Sequence, residues 1–316
     1  MSITKLMSTL LSPSRRWCDR VAPQEPGIEP GQVCRLSPLV RRITAPNGGR
    51  MTGTGTNTYL VGNEDVAVID PGPLIDSHVE AILAAGEGRI RWVMVTHTHP
   101  DHSPAAQAIV AATGASTVGC LLRPDDGHQD NSFRVDRNVV HGELFCTPEF
   151  TLEAIFTPGH IGNHFCYLLR DESLLFAGDH IMEGVSVVII PPSGDLKDFL
   201  DSLVLLRSYD ITAIAPAHGA LICNPTQEIN KLVKHRNHRE QKVLSAMERL
   251  GEASLEALLP VVYDDVDPEL HKVASMSLWA HLLKLERESR VVKTIASHWA
   301  FGEEHWRLAN NGEGGR

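Results

Sequence analysis

Thr96-His97-Thr98-His99-Pro100-Asp101-His102-Ser103 is the stretch that decides the fold, because three histidines and one aspartate fall within six residues. Imidazole and carboxylate groups are the ligands that borderline divalent metals, zinc above all, prefer in proteins. The apolar run 90–95 before it is typical of a buried strand, and residues 103–108 after it are typical of a helix start. We therefore predict metal ligands on a tight strand-to-helix turn.

The spacing within this turn predicts two groups of ligands. In extended backbone, His97 and His99 point the same way, whereas Asp101 and His102 turn with the chain and can face a second metal. The alternative is a polar turn with solvated histidines. We favour the metal site, because four ligand-type residues rarely occur at this spacing by chance.

Four further segments place a metal-ligand type of residue beside glycine or proline at the end of a predicted strand. They are Asp70 before Pro71-Gly72, His160 after Pro158-Gly159, Asp179 after Gly178, and His218 before Gly219. Such neighbours let the backbone turn sharply beside a metal. Asp70 aside, the candidate ligands are His97, His99, Asp101, His102, His160, Asp179 and His218. Seven ligands suit two metals about 3.5–4 Å apart that share a carboxylate and a water.

The turn resembles the HxHxDH signature of the metallo-β-lactamase superfamily, and the other segments follow in the same order over roughly residues 36–225. The resemblance implies an α/β fold, an αββα sandwich with the metal site at one edge. It implies two divalent ions, with zinc favoured over iron or manganese. The implied ligands are His97, His99 and His160 for the first ion, Asp101, His102 and His218 for the second, and Asp179 as the bridge. Asp70 would steady a metal-site histidine or loop.

Three other segments, 51–61, 235–242 and 270–286, are similar to the β-lactamase-like protein 2 group, whose animal members are endoribonucleases. That group has a small winged-helix-like C-terminal domain. We accordingly predict an irregular N-terminal arm over 1–35, a metal hydrolase domain over 36–225 and a winged-helix-like domain over 226–316.

The expected chemistry is hydrolysis by a hydroxide that bridges the two metals. Asp101 is the predicted catalytic residue, because it can orient this nucleophile. His164 either contacts the substrate or supports the loop, and Asn57 either lies near the site or caps its strand. His180 is interpreted as a surface residue beside Asp179.

The charge of the chain constrains its partners. The formal net charge is −10, yet residues 226–316 contain 13 Lys+Arg against 14 Asp+Glu, so the acidity lies in the predicted metal domain. This does not favour charge-driven binding of nucleic acid. A basic helical cluster consists of Lys231, Lys234, His235, Arg236, His238, Arg239 and Lys242. It is either a nucleic-acid platform or, as we favour, a solvated helix beside the active site. Trp279, Trp299 and Trp306 are expected to fill the small domain's core.

Three functions follow. The first is a dinuclear hydrolase of single-stranded RNA, which the family resemblance favours. The second is hydrolysis of a thioester, a lactone or another small-molecule ester, which the apolar segment Met182 to Pro192 favours as a pocket wall. The third, from another class, is a winged-helix nucleic-acid-binding protein with an inactive metal domain. The expected partner is a small molecule or RNA and not a membrane, and a homodimer is left open.

Several features bear on the compartment. No apolar run approaches 18 residues, and the apolar patch at 6–11 is short for a secretory signal. The six cysteines are scattered with no CxxC pair, and we interpret them as reduced thiols. We predict a cytoplasmic protein, with the mitochondrial matrix as the alternative in a eukaryote.

Overall fold

The first of two facing sheets has seven strands whose spatial order follows the chain. The computed structural model describes residues 27–124, 126–295 and 304–310. The strands are β1 (Val33–Arg35), β2 (Val40–Thr44), β3 (Asn57–Val61), β4 (Val66–Ile69), β5 (Ile90–Met94), β6 (Ser116–Gly119) and β7 (Arg137–Asn138). Neighbours pair antiparallel from β1 to β4 and parallel from β4 to β7.

The second sheet has five strands in the order β12-β11-β10-β9-β8. They are β8 (Leu144–Cys146), β9 (Thr151–Phe156), β10 (Phe165–Leu169), β11 (Leu174–Gly178) and β12 (Ala213–Pro216). Strands β8 to β11 pair antiparallel with their neighbours, whereas β12 runs parallel to β11. As a result, β9, β11 and β12 all point their carboxyl ends the same way.

The two sheets pack face to face through alternate side chains. In β10, Phe165, Tyr167 and Leu169 lie in the core between the sheets, whereas Cys166 and Leu168 lie in the core on the outer face. This two-residue period is the pleat of a strand. Because both faces of β10 are covered, its sequence is a continuous apolar run rather than an alternation of apolar and polar residues.

Helices cover the outer face of each sheet. The first sheet packs against α1 (Asp76–Gly86) and α2 (Ala106–Thr113), and the second against α3 (Leu196–Leu206) and the start of α4 (Pro225–Leu250). Each contact is an apolar helix face on an apolar sheet face. The predicted αββα sandwich is therefore confirmed.

A smaller unit with its own core follows. It contains α5 (Leu255–Val262), a 3-10 turn (Pro268–Leu270), α6 (His271–Arg287) and a sheet in the order β13-β15-β14. Its strands are β13 (Ala253–Ser254), β14 (Val291–Ile295) and β15 (His305–Leu308). Strands β14 and β15 pair antiparallel. Its core includes Leu258, Leu278, Leu282 and Trp306.

Helix α4 connects the two units. Ile229 and Leu232 in its first half pack into the core outside the second sheet, whereas Val243 and Met247 in its second half pack into the core of the small unit. The predicted boundary between residues 225 and 226 thus falls at the first turn of a helix that belongs to both cores. One continuous helix holds the two units against each other.

Three local expectations need correction. Residues 33–35, the end of the predicted irregular arm, form β1, because they pair with β2; residues 1–26 lie outside the described part. The helix predicted from residue 103 begins at Ala106, since the ligand loop uses the residues before it. Cys223 is disulfide-bonded, so the interpretation of every cysteine as a reduced thiol is wrong there. Cys120, Cys146 and Cys166 are free thiols.

Every helix in the described ranges is too short or too polar to cross a lipid bilayer.

Candidate metal centre

The candidate ligands lie at one edge of the sandwich, where five strands end. The segments that carry them follow the carboxyl ends of β4, β5, β9, β11 and β12. Parallel strands bring their carboxyl ends to the same edge, so side chains that are far apart in sequence meet there. The sheet topology therefore assembles the site.

The first group consists of His97, His99 and His160. Nε2 of His97 lies 2.9 Å from Nδ1 of His99, and Nε2 of His160 lies 3.1 Å from the same atom. One ligand atom of each residue lies within 4.8 Å of the other two. Three imidazole nitrogens facing one point are the donor set of a tetrahedral zinc-type site with one position left over.

The second group consists of Asp101, His102 and His218, and Asp179 lies between the two groups. Nε2 of His218 lies 3.3 Å from Asp101 Oδ2 and 3.3 Å from Asp179 Oδ1. The other carboxylate oxygen of Asp179 lies 3.6 Å from His102 Nε2 and 3.7 Å from His160 Nε2. The structure thus brings all seven predicted ligands together, with Asp179 placed to touch two ions.

Hydrogen bonds on the far side of each ring fix which nitrogen faces the cluster. His160 Nδ1–H donates to Val188 O at 2.7 Å, and His218 Nδ1–H donates to Gly55 O at 3.2 Å. His102 Nδ1–H donates to the Asp70 carboxylate at 3.1 Å. Each Nε2 is thereby left to face the cluster, as metal-binding histidines require.

Asp70 joins two strand ends as well as holding His102. Its carboxylate accepts hydrogen bonds from Thr96 N at 2.7 Å and from Thr96 Oγ1 at 2.8 Å. Because the Thr96 hydroxyl already donates its hydrogen to Asp70, its oxygen accepts a hydrogen bond from His97 Nδ1–H at 3.0 Å. Sequence reasoning missed Thr96, although its place directly before the first ligand was a usable signal.

Asn57 lies near the site but supports it from below. Its side-chain amide donates to Pro216 O at 3.1 Å and to Gly219 O at 2.9 Å, on either side of His218. Its side-chain oxygen accepts from Thr44 Oγ1. The residue is fully buried, so it holds the His218 loop and has no access to a substrate.

His164 also supports a ligand loop, which decides between its two predicted roles. Its Nε2 accepts from the backbone N–H of Asp179 at 3.3 Å, and its Nδ1 lies 2.9 Å from Thr157 Oγ1. Burial lowers the pKa of His164 well below its usual value, which keeps Nε2 available as an acceptor. A Cβ at Gly178 would approach His164 Nε2 to 2.6 Å, so this bond requires glycine there.

His180 corrects another expectation. It is fully buried rather than on the surface, with its ring centroid 4.8 Å from that of Phe199. Burial, with a smaller effect from His160, lowers its pKa to about 3. Its apolar surroundings were not visible from its position next to Asp179.

The cluster fits a pair of divalent cations. Nε2 of His102 and Oδ1 of Asp179 are buried and have no hydrogen-bond partner in the described part of the chain. Burial opposes charge on both groups, yet their mutual attraction dominates: nearby carboxylates raise the pKa of His102 well above its usual value, and His102 and His218 hold the pKa of Asp179 well below its own. Buried donor atoms left without partners are what an ion would satisfy.

Two known protein families match this chain, one over each of its two units. The sequence model of the metallo-beta-lactamase superfamily matches residues 51–218, more than half of the chain. The chain belongs to the metallo-β-lactamase superfamily. The model of the beta-lactamase associated winged helix domain matches residues 254–299, so the small unit of this superfamily member is a winged helix domain.

Relatives of the chain include lactamase-like proteins of fungi. Lactamase-like protein aptB of Emericella nidulans is 30% identical over 274 residues, which cover 82% of this chain and 84% of aptB. Lactamase-like protein nscB of Arthroderma benhamiae is 31% identical over 278 residues, covering 82% of this chain and 61% of nscB. These relatives support the superfamily and not the finer resemblance to the β-lactamase-like protein 2 group.

Solved structures show the same fold. A beta-lactamase domain protein from Burkholderia ambifaria has a TM-score of 0.75 at 18% identity, over 92% of this chain and 97% of that one. The metallo-beta-lactamase family protein TTHA1429 from Thermus thermophilus has a TM-score of 0.69 at 19% identity, over 87% and 100%. At this identity the likeness concerns the fold alone.

A cavity of about 1150 Å³ opens over the metal cluster of this superfamily member. Its floor includes His99, Asp101, His160, Asp179 and His218. One wall is apolar and comes from the predicted segment: Met182, Val185, Val187, Val188, Ile190, Pro191 and Pro192. The winged helix domain contributes Trp279, Lys293 and Glu304, which sequence reasoning had not placed at the site. A cavity of this size and lining accommodates a small molecule with a large apolar body.

The basic cluster on α4 is used inside the protein. Arg236 donates to the backbone of Val187, and Arg239 donates to Val262 O at 2.6 Å and to Asp265 at 2.7 Å. The guanidinium groups of both arginines are largely buried. The favoured interpretation was a solvated helix beside the active site. It is wrong for Arg236 and Arg239, because these two cations make contacts inside the protein rather than with solvent.

Proposed function

We propose that the protein is a dinuclear metal hydrolase of small molecules that cleaves thioesters, lactones or other carboxylic esters with a large apolar acyl group. The observation that carries this proposal is the apolar wall over the metal cluster. Apolar surface beside a hydrolytic centre stabilises an apolar acyl group bound next to the scissile carbonyl.

In this proposal the first ion is held by His97, His99 and His160, and the second by Asp101, His102 and His218, with Asp179 bridging. Zinc is favoured over iron or manganese, since the donors are imidazole and carboxylate with no thiolate. Two such ions would supply hydroxide near neutral pH and would polarise the scissile carbonyl.

Asp101 is the proposed catalytic residue. Burial favours its neutral form, but His102 and a hydrogen bond from His218 lower its pKa to about 2, so it is a carboxylate at neutral pH. The same side chain lines the cavity. Its carboxylate would therefore accept a hydrogen bond from the attacking water and orient that water toward the substrate.

Support for single-stranded RNA as substrate is weaker, although the family resemblance had favoured it. RNA binding needs cations that are free to contact phosphates. Of the two cations on the cavity lining, Lys293 is paired with Glu304 at 2.7 Å, and only Arg50 has no ionic partner among the described residues. The α4 arginines are likewise committed to internal contacts.

An inactive nucleic-acid-binding protein is supported least. Selection for binding through the winged helix alone would leave the ligand set free to lose members. All seven ligand-type residues are present and converge, and Asp70 still supports His102 from behind. A homodimer and a cytoplasmic location stay predictions.

The deciding experiment measures metal content and substrate range on one zinc-replete sample. We expect two zinc ions per chain by elemental analysis, turnover of aryl and long-chain thioesters, and no cleavage of single-stranded RNA. Asp101→Asn should abolish the thioester turnover while the fold, followed by circular dichroism, is retained.

The opposite substrate range would overturn the proposal. RNA cleavage that is lost in Asp101→Asn, with no ester or thioester turnover, would establish the ribonuclease instead. Less than one metal ion per chain after metal-replete expression would contradict the dinuclear site itself.

A further inference from the structure

Thr98 stands between two candidate ligands of the first ion, His97 and His99, and is 5% exposed. Both histidines belong to the metal cluster, whereas the Thr98 hydroxyl hydrogen-bonds to residues of two other segments. Side chains that alternate in this way are those of an extended backbone. Thr98 therefore contacts the rest of the protein from behind the two ligands.

The Thr98 hydroxyl is used both as a donor and as an acceptor. Its Oγ1–H donates to Gln129 Oε1 at 2.5 Å, and its oxygen accepts from Asn163 Nδ2–H at 2.8 Å. Because a hydroxyl has one hydrogen to donate, these two bonds fix its rotation. Asn163 lies three residues after His160, the third candidate ligand of the first ion. The hydroxyl thus ties the ligand turn to the loop of His160.

Gln129 extends this chain of hydrogen bonds to Asp126. Its Nε2–H donates to Asp126 Oδ1 at 3.1 Å and to Oδ2 at 3.0 Å. Burial opposes the charge of Asp126, but hydrogen bonds from the His128 backbone and from Gln129 hold its pKa below its usual value. A carboxylate only accepts hydrogen bonds, so the amide nitrogen of Gln129 must face Asp126 and its oxygen must face Thr98. The direction of the whole chain is therefore determined.

The neighbour of Gln129 holds the same turn at a second point. The backbone N–H of Asp130 donates to Thr98 O at 2.7 Å, and Asp130 Oδ2 accepts from Ser103 Oγ–H at 2.7 Å. Ser103 directly follows His102, the last candidate ligand of the turn. The pair Gln129-Asp130 consequently holds the ligand turn near its beginning and at its end.

The same segment is also a wall of the cavity over the metal cluster. Asp126, Gly127 and His128 line this cavity, whereas Thr98 lies outside the lining. Since Gln129 bonds to Asp126 on one side and to Thr98 on the other, the wall and the ligand turn belong to one hydrogen-bonded network. Networks of this kind orient metal ligands, and the loss of one member costs about 10- to 100-fold in metal affinity.

We propose that Thr98 is a positioning residue for the first metal ion, whose hydroxyl holds the ligand turn against Gln129 and against the loop of His160. The hydroxyl acts through His97, His99 and His160 and touches neither the ion nor the substrate. This rests on the metal centre of the proposed function and not on its ester or thioester substrate.

The test measures metal binding in the full chain. Thr98→Val replaces the hydroxyl by a methyl group, and Thr98→Ser keeps the hydroxyl. Thr117→Val is the matched control, because Thr117 is a buried threonine on β6 whose hydroxyl donates to Arg134 O at 2.6 Å, away from the candidate ligands. Zinc affinity is measured by competition with a chelator. A cobalt(II)-loaded sample of each protein reports the coordination geometry through its visible absorption.

Positioning predicts a change in the metal centre and not only in stability. Thr98→Val should bind one of the two zinc ions about tenfold more weakly and should shift the cobalt(II) spectrum. Thr98→Ser should stay within about threefold of the native affinity, with the native spectrum. Thr117→Val should unfold at a lower urea concentration, because it loses a buried hydrogen bond, and should keep the native zinc affinity and spectrum.

Gln129→Leu provides a second variant at a half-buried position, where a substitution disturbs the packing less. It removes the acceptor of the Thr98 hydroxyl and leaves Asn163 as the other partner. It should therefore weaken zinc binding in the same direction as Thr98→Val and by a smaller factor.

Three outcomes overturn the proposal. Native zinc affinity and a native cobalt(II) spectrum in both Thr98→Val and Gln129→Leu would leave Thr98 as a packing residue. A loss in Thr98→Ser as large as in Thr98→Val would show that the hydroxyl is not the cause. An equal loss in Thr117→Val would assign the effect to general destabilisation.

Failure of the proposed function looks different. If the native chain binds two zinc ions but hydrolyses no ester or thioester, the proposed substrate is contradicted and the comparison of the Thr98 variants still decides their role. If the native chain binds less than one zinc ion, the metal centre and the role of Thr98 are overturned together.

Discussion

Two clusters of charged and polar side chains differ in whether their buried polar atoms find hydrogen-bond partners in the chain. At the sheet edge, His102 Nε2 and Asp179 Oδ1 are buried without hydrogen-bond partners among the described residues. On α4, Arg236 and Arg239 are just as buried, yet each donates to a backbone carbonyl of a neighbouring segment. In the first cluster the unpartnered atoms belong to ligand-type side chains that converge on one place, whereas in the second each arginine hydrogen-bonds to the chain itself and only Nε of Arg236 lacks a partner among the described residues.

The difference teaches how to separate functional from structural polar clusters. Leaving a buried polar atom unpaired costs free energy, so several unpaired ligand-type atoms that converge on one place indicate a ligand there. The α4 arginines meet the opposite condition, because their partners are carbonyls and a carboxylate of the chain itself. Variants in each cluster should therefore fail in different ways.

The largest expected effect is at the bridging position. Asp179→Ala should reduce kcat/KM on the best ester or thioester substrate about 10³-fold, because it removes the ligand proposed to bridge the two ions and several kcal/mol of transition-state stabilisation with it. Zinc per chain should fall from two toward one by elemental analysis. The exposed Asp201→Ala variant on α3 is the control and should change neither kcat/KM nor the zinc content. Full activity in Asp179→Ala would contradict the assignment of the sheet-edge cluster as the functional one.

A buried histidine outside both clusters gives a pH-dependent effect on folding. His78 Nε2 lies 2.9 Å from Thr58 Oγ1, and burial lowers the pKa of His78 to about 4. In the unfolded chain His78 has its usual pKa of 6.5 and binds a proton below that pH, whereas in the folded protein it binds one only near pH 4. The protein therefore has its full stability above pH 6.5 and loses stability as the pH falls toward 4. The free energy of unfolding should drop by about 3 kcal/mol more in the native sequence than in His78→Gln between pH 7 and pH 4.

Urea titrations at the two pH values measure that difference. The exposed His128→Gln variant serves as the control, and it should follow the native sequence. Equal pH dependence of His78→Gln and the native sequence would show that His78 is protonated as readily in the folded state as in the unfolded one.

The support behind the metal site should have an intermediate effect. Asp70→Asn keeps the shape of the side chain but removes the charge that holds His102 Nδ1–H. Zinc affinity should fall about 10- to 100-fold, measured by competition with a chelator. Asp65→Asn, at an exposed ion pair with Arg91, should leave the affinity unchanged.

The smallest effect on activity and metal binding should come from the arginine cluster on α4. Arg239→Leu leaves Val262 O without its donor and leaves Asp265 with Lys242 alone, and it should destabilise the protein by about 1.5 kcal/mol in urea unfolding. Zinc content should remain at two. A variant with normal stability and reduced metal binding would erase the distinction between the clusters. The exposed Lys231→Met variant should cost less than about 0.5 kcal/mol.

Much of the site was predictable because its signals are local. His97, His99, Asp101 and His102 share one turn, and His160, Asp179 and His218 each stand beside a glycine at a strand end. Turn chemistry and strand periodicity depend on residues a few positions apart, so they are legible in the chain. The predicted strands followed from the same short-range patterns, whereas the sandwich was implied by the family resemblance.

The supporting contacts were predictable only in part. Asp70 was expected behind a metal-site histidine, and the structure places it there. For Asn57 and His164 two roles were open, and their burial decides in favour of holding the loops of His218 and Asp179. His180 was interpreted wrongly, because exposure is a property of the packed neighbours and not of the adjacent residues.

The sequence by itself determined the residues that can bind metal, because their signals lie within short segments, and the order of those segments carried the superfamily resemblance, which implied the αββα sandwich. Only the tertiary structure decided that Arg236 of α4 bonds to the hydrolase domain whereas Arg239 bonds to the winged helix domain, and that Trp279 and Glu304 line the cavity over the metal centre. Those facts depend on how two cores dock along one helix. Docking is set by the shape of packed side chains far apart in the chain, and no local pattern encodes that shape.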